Sequence, residues 1–317
     1  MQDRFGRTID YLRLSVTDRC NLRCRYCMPS CGVALKEHSQ MLTQEEAVTA
    51  VRACASLGIT KVRITGGEPL VKRDIISLCF GIAGVEGIET VALTTNATLL
   101  SVDTARDLIR AGVSRINISL DTLDAEKYRM LTRTGDLKQA LDGLDAALGA
   151  GFAKVKVNTV LMKGFNDDEI PALAGLTRNL PIDLRFIELM PMIPASDIPG
   201  SFLEADAVLR ALSDLLPEGS GNGVARMYRL SGARGRVGLI SPLSAPFCAS
   251  CNRIRITADG TVKPCLHSGE ELAIKGLDEA GMRDVIMRAV LDKPAGHELS
   301  PGGGMSTSGR SMNRIGG

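Results

Sequence analysis

The 317-residue sequence has no tryptophan, and aromatic residues make up 3% of it. A platform that binds single-stranded nucleic acid by stacking bases on rings is therefore excluded. Excess charge is also missing. With 38 Lys and Arg against 36 Asp and Glu, the formal net charge is +2, so no global field attracts a polyanion or an acidic membrane. Any anionic ligand must be met by local side chains. No uncharged apolar run reaches the roughly 18 residues of a membrane-spanning helix, and Met1 to Asp10 is too polar for a signal peptide. A cytoplasmic protein is expected. The pattern Gly-x4-Gly-Lys-Ser/Thr does not occur, so phosphates would have to be neutralised by side chains and not by a P-loop.

What is present is alternation. Short β-branched runs at Tyr11 to Thr17, Lys61 to Thr65, Thr90 to Thr94, Arg115 to Leu120, Lys154 to Leu161 and Asp183 to Leu189 read as strands. Between them, Thr43 followed by Glu46 has capping-box spacing, and further helices are expected over Ile75 to Phe80, Val102 to Ala111, Leu137 to Leu148, Asp168 to Arg178 and Glu204 to Leu215. Six β/α units in series imply a parallel sheet with right-handed crossovers. Polar residues and glycines gather after the strands, at Thr65-Gly66-Gly67-Glu68-Pro69, Thr94-Thr95-Asn96, Ser119-Leu120-Asp121, Asn158 and Glu188-Leu189-Met190. In a barrel those ends converge on one mouth, so an incomplete (β/α)6 barrel is expected over residues 1–222.

After Pro191 the alternation stops. A smaller α+β module is expected over 223–317, with strands at Met227 to Leu230, Val237 to Ile240 and Arg253 to Thr257 and a helix near Leu277 to Leu291. The tail from Ser300 holds six glycines and reads as flexible on its own.

Nine cysteines in a reducing compartment point to metal or redox chemistry more than to disulfides. Cys20, Cys24 and Cys27 form C-x3-C-x2-C in the loop after the first strand. Three thiolates on one short loop suit three corners of a 4Fe-4S cube and leave one iron open. Cys31 lies outside the pattern and reads as a bystander. Cys248, Cys251 and Cys265 form a second trio, for which a zinc site completed by His267 is the alternative reading of the residues. Cys54 and Cys79, in helical stretches, read as core.

The C-x3-C-x2-C loop, with Tyr26 before its last cysteine, resembles that of the radical S-adenosylmethionine (SAM) enzymes. Gly66-Gly67-Glu68-Pro69 matches that family's GGEP turn. The likeness implies that the open iron chelates SAM and that reductive cleavage yields a 5′-deoxyadenosyl radical. Phe5-Gly6-Arg7, the run Tyr11 to Asn21, Phe247-Cys248-x2-Cys251-Asn252-Arg253-Ile254-Arg255 and the terminal Gly316-Gly317 narrow it further. They resemble the branch that cyclises GTP in the first step of molybdenum cofactor biosynthesis.

That resemblance implies a second 4Fe-4S cluster on Cys248, Cys251 and Cys265, with an iron open to the guanine ring. It implies SAM contacts at Tyr26, Gly67, Ser119 and Met190, and GTP contacts at Arg13, Arg63, Thr94, Lys156, Arg253 and Arg255. It further implies that Gly316 and Gly317 enter the active site and assist radical propagation. From the residues alone, Arg253 and Arg255 share one face of a strand, arginine gives bidentate bonds to phosphate, and Arg185 on a buried strand needs an anion. The implied partners are GTP, a flavodoxin- or ferredoxin-type electron donor and a downstream cyclic pyranopterin monophosphate synthase. Nucleic acid and membranes are not expected, and a homodimer is left open. A radical SAM peptide- or sulfatase-maturing enzyme is the rival enzyme, and an iron-sulfur electron carrier is the rival of another class.

Overall fold

The computed structural model describes residues 1–192, 198–219, 223–301 and 303–316. In chain order the elements are β1 (Tyr11–Ser15), α1 (Gln44–Ser56), β2 (Lys61–Thr65), α2 (Ile75–Ala83), β3 (Thr90–Thr95), α3 (Val102–Arg110) and β4 (Val113–Ser119). They continue with α4 (Ala125–Thr132), α5 (Leu137–Ala150), β5 (Lys154–Leu161), α6 (Ile170–Asn179), β6 (Asp183–Glu188), α7 (Ala207–Ala211), β7 (Leu215–Glu218) and β8 (Arg226–Leu230). The chain ends with β9 (Arg236–Ile240), β10 (Arg253–Ile256), β11 (Thr261–Lys263), β12 (Leu272–Ala273), α8 (Glu279–Leu291) and α9 (Met312–Ile315).

The twelve strands of the described residues form one sheet, in the order β12-β11-β10-β1-β2-β3-β4-β5-β6-β9-β8-β7. Strands β1 to β6 pair in parallel, as the β/α repeat requires. The parallel run continues beyond them, because β10 adds to β1 and β9 adds to β6. Hairpin partners then cover both flanks in antiparallel sense. Thus the segment carrying the second cysteine trio is built into the same sheet as the first.

Period-two alternation sorts each strand. In β1, Leu12 and Leu14 are fully buried in the main apolar core, while Tyr11 and Arg13 face a cavity on the opposite side. Helices α1 and α8 pack together, as do α3 and α5. Local signals placed the helix starts. Thr43 accepts from the Glu46 amide at 3.1 Å while Glu46 accepts from the Thr43 amide at 2.9 Å, and Ser101 caps α3 through the Thr104 amide at 3.1 Å.

Two expectations are corrected. The helix expected over Glu204 to Leu215 is only Ala207–Ala211, because Leu212 turns extended and Leu215–Glu218 becomes the edge strand β7. Pro217 is tolerated there, since an edge strand leaves one side free of ladder bonds. The tail is not a free end. It forms α9 and buries Ser308, Asn313 and Ile315, so contacts with the body supply the ordering that its own composition does not. Helix α4 had no counterpart in the sequence pattern. No helix among the described residues is long and apolar enough to cross a membrane.

Candidate active site

The inner face of the parallel strands encloses a cavity of about 270 Å³, to which β1 to β6, β9 and β10 all contribute lining residues. Strand register decides its chemistry. Arg13 of β1 lies opposite Arg63 of β2 on one side and opposite Arg255 of β10 on the other. Three guanidiniums therefore stand side by side across neighbouring strands, where the spacing is about 4.8 Å. Arg253 is one row below, opposite Tyr11. Arg185 reaches the cavity from β6, whereas Lys156 of the neighbouring strand β5 is buried but does not line it.

No carboxylate among the described residues forms an ion pair with Arg13, Arg63, Arg185, Arg253 or Arg255. Burial pushes the pKa of Arg13 well down, and Arg255 and Arg63 push it further in the same direction. Burial and Arg253 bring Arg255 down to about 10. Burial, Arg185 and Arg63 bring Lys156 down to about 7. The Nε atoms of Arg63, Arg185 and Arg253 and the hydroxyl of Thr94 are buried with no protein partner. Like charges crowded into a dry site are costly unless an anion joins them. Tyr11 offers partial relief, with the guanidiniums of Arg63 and Arg253 lying 5.5 and 5.9 Å from its ring centre.

The first trio sits above this floor. Leu22 N–H donates to Cys20 Sγ at 3.3 Å, and Tyr26, between Cys24 and Cys27, turns into the cavity and donates to Asp121 Oδ2 at 2.7 Å. Burial pushes Cys20 up to about 11 and Cys27 up to about 12. Cys24 is raised by burial and by Cys27, Asp121 and Cys20. Three sulfurs that repel one another as anions need a shared cationic partner to become thiolates together, which fits an iron-sulfur core. The GGEP turn is tied to this loop. Gly67 N–H donates to Thr17 at 2.7 Å, Glu68 N–H donates to Arg19 at 2.8 Å, and a Cβ on Gly67 would stand 2.3 Å from the Arg19 carbonyl oxygen. Glycine is required there for backbone to meet backbone. Glu68 is fully buried and accepts from Thr95 Oγ1 at 2.7 Å and the Asn96 amide at 2.7 Å, which locks the turn to the end of β3.

Cys248, Cys251 and Cys265 line the same cavity, together with Lys293, His267 and His297. Burial would raise Cys251, but the charges of Lys293, Arg253 and Arg255 outweigh it and lower its pKa. Among the described residues no three Cys, His, Asp or Glu side chains close around a single ion. His267 Nδ1 faces Ser306 Oγ at 3.1 Å, and its ring meets His297 edge-on at 5.0 Å. Cys31 is exposed, and Cys54 and Cys79 are buried in the core.

Ser119 and Met190 reach the cavity, whereas Gly67 does not line it. Gly316 is buried against Ser15 and Thr65, the row directly above the arginines. Gly317 lies outside the described residues. Sequence reasoning missed Tyr11, Lys293 and His297 as cavity residues. Tyr11 had a legible signal, since it alternates with Arg13 on the same strand. Lys293 and His297 had none, because they follow α8, far along the chain from the site.

Two family profiles match the chain: "Radical SAM superfamily" over residues 14–177 and "Molybdenum Cofactor Synthesis C" over residues 182–299. The chain is 45% identical to "GTP 3′,8-cyclase" of Moorella thermoacetica and 46% identical to that of Pelotomaculum thermopropionicum, each match covering 100% of both chains. Among solved structures it resembles Streptococcus suis SuiB bound to S-adenosylmethionine, with a TM-score of 0.67 and 17% identity over 90% of this chain and 66% of that one. At that identity the likeness concerns the fold alone.

Proposed function

Since the chain belongs to the GTP 3′,8-cyclase family of the radical SAM superfamily, we propose which of its residues perform the family's reaction. The protein is a radical SAM enzyme that joins C3′ of GTP to C8 of guanine, giving (8S)-3′,8-cyclo-7,8-dihydroguanosine 5′-triphosphate, the first step of molybdenum cofactor biosynthesis. Cys20, Cys24 and Cys27 hold the 4Fe-4S cluster that presents SAM. Cys248, Cys251 and Cys265 hold the second. Reduced and carrying SAM, the first cluster supplies the hydrogen-abstracting chemistry.

The row Arg255-Arg13-Arg63 is the observation that carries the assignment of GTP to this cavity. Three adjacent cations, Arg255 buried and Arg13 and Arg63 half-buried, without carboxylate partners among the described residues suit a triphosphate, and each charge-assisted contact contributes about 1.5 to 3 kcal/mol. Arg253, one row below, and Lys156 of β5 add further positive charge, and Thr94 donates its unpaired hydroxyl. Tyr26, Gly67, Ser119 and Met190 serve SAM, Tyr26 and Met190 by shaping the cavity and Gly67 by fixing the turn beside the cluster loop. Gly316 and Gly317 assist radical propagation. Residues 1–222 act as the partial barrel and 223–317 as the auxiliary module. The reductant is of flavodoxin or ferredoxin type, the product passes to cyclic pyranopterin monophosphate synthase, and the protein works in the cytoplasm, with a homodimer compatible with this scheme.

Anaerobic incubation of reconstituted protein with SAM, dithionite and GTP, followed by mass analysis, tests the assignment. A nucleotide isomeric with GTP, formed together with 5′-deoxyadenosine, is expected. Cleavage of SAM with GTP recovered unchanged would overturn it.

A further inference from the structure

Two buried cations hold the segments of the second trio, Arg7 away from the cavity and Lys293 at its wall. Arg7 is 7% exposed and Lys293 is 3% exposed. Arg7 Nη1 donates to the carbonyl of Cys248 at 2.9 Å and to that of Ala295 at 3.0 Å, while Nη2 donates to Pro294 at 2.7 Å. Asp3 orients this guanidinium, accepting from Arg7 Nε at 2.5 Å and from the Phe5 and Arg7 amides at 2.9 Å each. Lys293 Nζ donates to the carbonyls of Arg253 at 2.9 Å and Pro264 at 2.6 Å. Those carbonyls are two residues after Cys251 and one before Cys265. Gly296 lies beside Cys248, with room for a Cβ at ordinary contact distance, 3.6 Å from Sγ.

The two charges have different counterparts. Arg7 is neutralised by Asp3. Lys293 makes no ion pair among the described residues, and although it follows the C-terminus of α8, its ammonium bypasses the helix carbonyls for the cysteine loops. A buried ammonium held only by carbonyls calls for an anion nearby. An oxidised 4Fe-4S core with its two positive charges, bound by three thiolates, has a net negative charge, and the cavity that Lys293 lines is the one that Cys248, Cys251 and Cys265 face.

We infer that Arg7 and Lys293 are positioning residues for the second cluster: together they tie the three cysteine-bearing segments to residues 293–296, and Lys293 also supplies the cluster's counter-charge. This rests on the reading that the second trio holds a cluster. Outer partners of this kind commonly govern metal affinity by about 10- to 100-fold.

The test uses full-length protein reconstituted anaerobically, comparing wild type with Lys293→Met, Arg7→Gln and Arg7→Lys. Wild type should hold about eight irons per chain. Lys293→Met and Arg7→Gln should fall towards about four, losing the second cluster's paramagnetic resonance signal while the first cluster's signal and its response to SAM persist. Any second cluster that loads in Lys293→Met should have a midpoint potential below that of wild type, a shift that a purely structural role would not produce. Arg7→Lys, which keeps the charge with fewer donors, should recover more iron than Arg7→Gln. Full iron with an unchanged potential in Lys293→Met and Arg7→Gln overturns the inference, as does loss of both clusters together with a collapsed thermal melt. Wild type with only about four irons sinks the two-cluster reading itself, a result independent of the variants.

Discussion

Arg255 Nη1 donates to the carbonyl oxygen of Gly316 at 2.5 Å, joining the arginine row of β10 to the last described residue of the chain. Gly316 has φ of +82°, and an added Cβ would stand 2.2 Å from Thr65 Oγ1. Gly316→Ala should therefore unseat the tail without removing a charge. The expected result is GTP binding close to wild type and continued SAM cleavage, with a collapse in cyclised nucleotide per 5′-deoxyadenosine. Equilibrium dialysis and chromatography of both products measure these separately. A normal product ratio, in this variant or after deletion of Gly316 and Gly317, would remove the tail from the mechanism.

Because Arg255 holds the tail and Arg253 does not, their alanine variants should differ. Arg253→Ala removes a charge-assisted contact and should weaken GTP by about tenfold to a hundredfold with the product ratio intact. Arg255→Ala should weaken GTP similarly and also lower the ratio. Identical product ratios in the two variants would separate the 2.5 Å contact from function.

The trios should fail independently. Cys24→Ala should abolish SAM cleavage, since two thiolates cannot hold a cluster and present an open iron. Cys251→Ala should retain some SAM cleavage but form no cyclised nucleotide, with iron falling from about eight to about four per chain. Equal loss of both activities in Cys251→Ala, with the first cluster intact by spectroscopy, would contradict the division of labour.

Lys156 gives a pH signature. Its pKa in the folded protein is about 7, below the ordinary lysine value of 10.5, so between these values the unfolded chain binds the proton and the folded chain does not. For this group, stability is lowest below pH 7 and rises as pH increases towards 10.5. A bound triphosphate should restore the proton. Calorimetry of GTP binding near pH 8, in buffers of different ionisation heat, should show proton uptake that Lys156→Met removes. Buffer-independent heats in wild type would place the phosphates away from this side chain.

Both cysteine trios, the β/α alternation and the cap at Thr43 were legible in the sequence because each is a short-range pattern whose spacing carries its chemistry. The helix expected over Glu204 to Leu215 was not, since the apolar residues at its end were claimed by an edge strand. The tail misled for a similar reason: its glycines suggest a free chain, yet Arg310 is held by Asp259 at 2.9 Å and Glu271 at 2.6 Å, and Asn313 by the Asp18 carbonyl at 3.1 Å.

The sequence by itself determined which groups were available: six thiols in two spaced sets, a glycine pair after the second strand and a scatter of basic residues. Tertiary structure alone decided that Arg13, Arg63 and Arg255 stand in one row, and that Arg7 and Lys293 reach the backbone of the segments that carry the second trio. The physical reason is register. Local periodicity says which face of a strand a side chain takes, but its lateral neighbours depend on how strands distant in sequence slide against one another. That alignment is settled by the packing of the whole core.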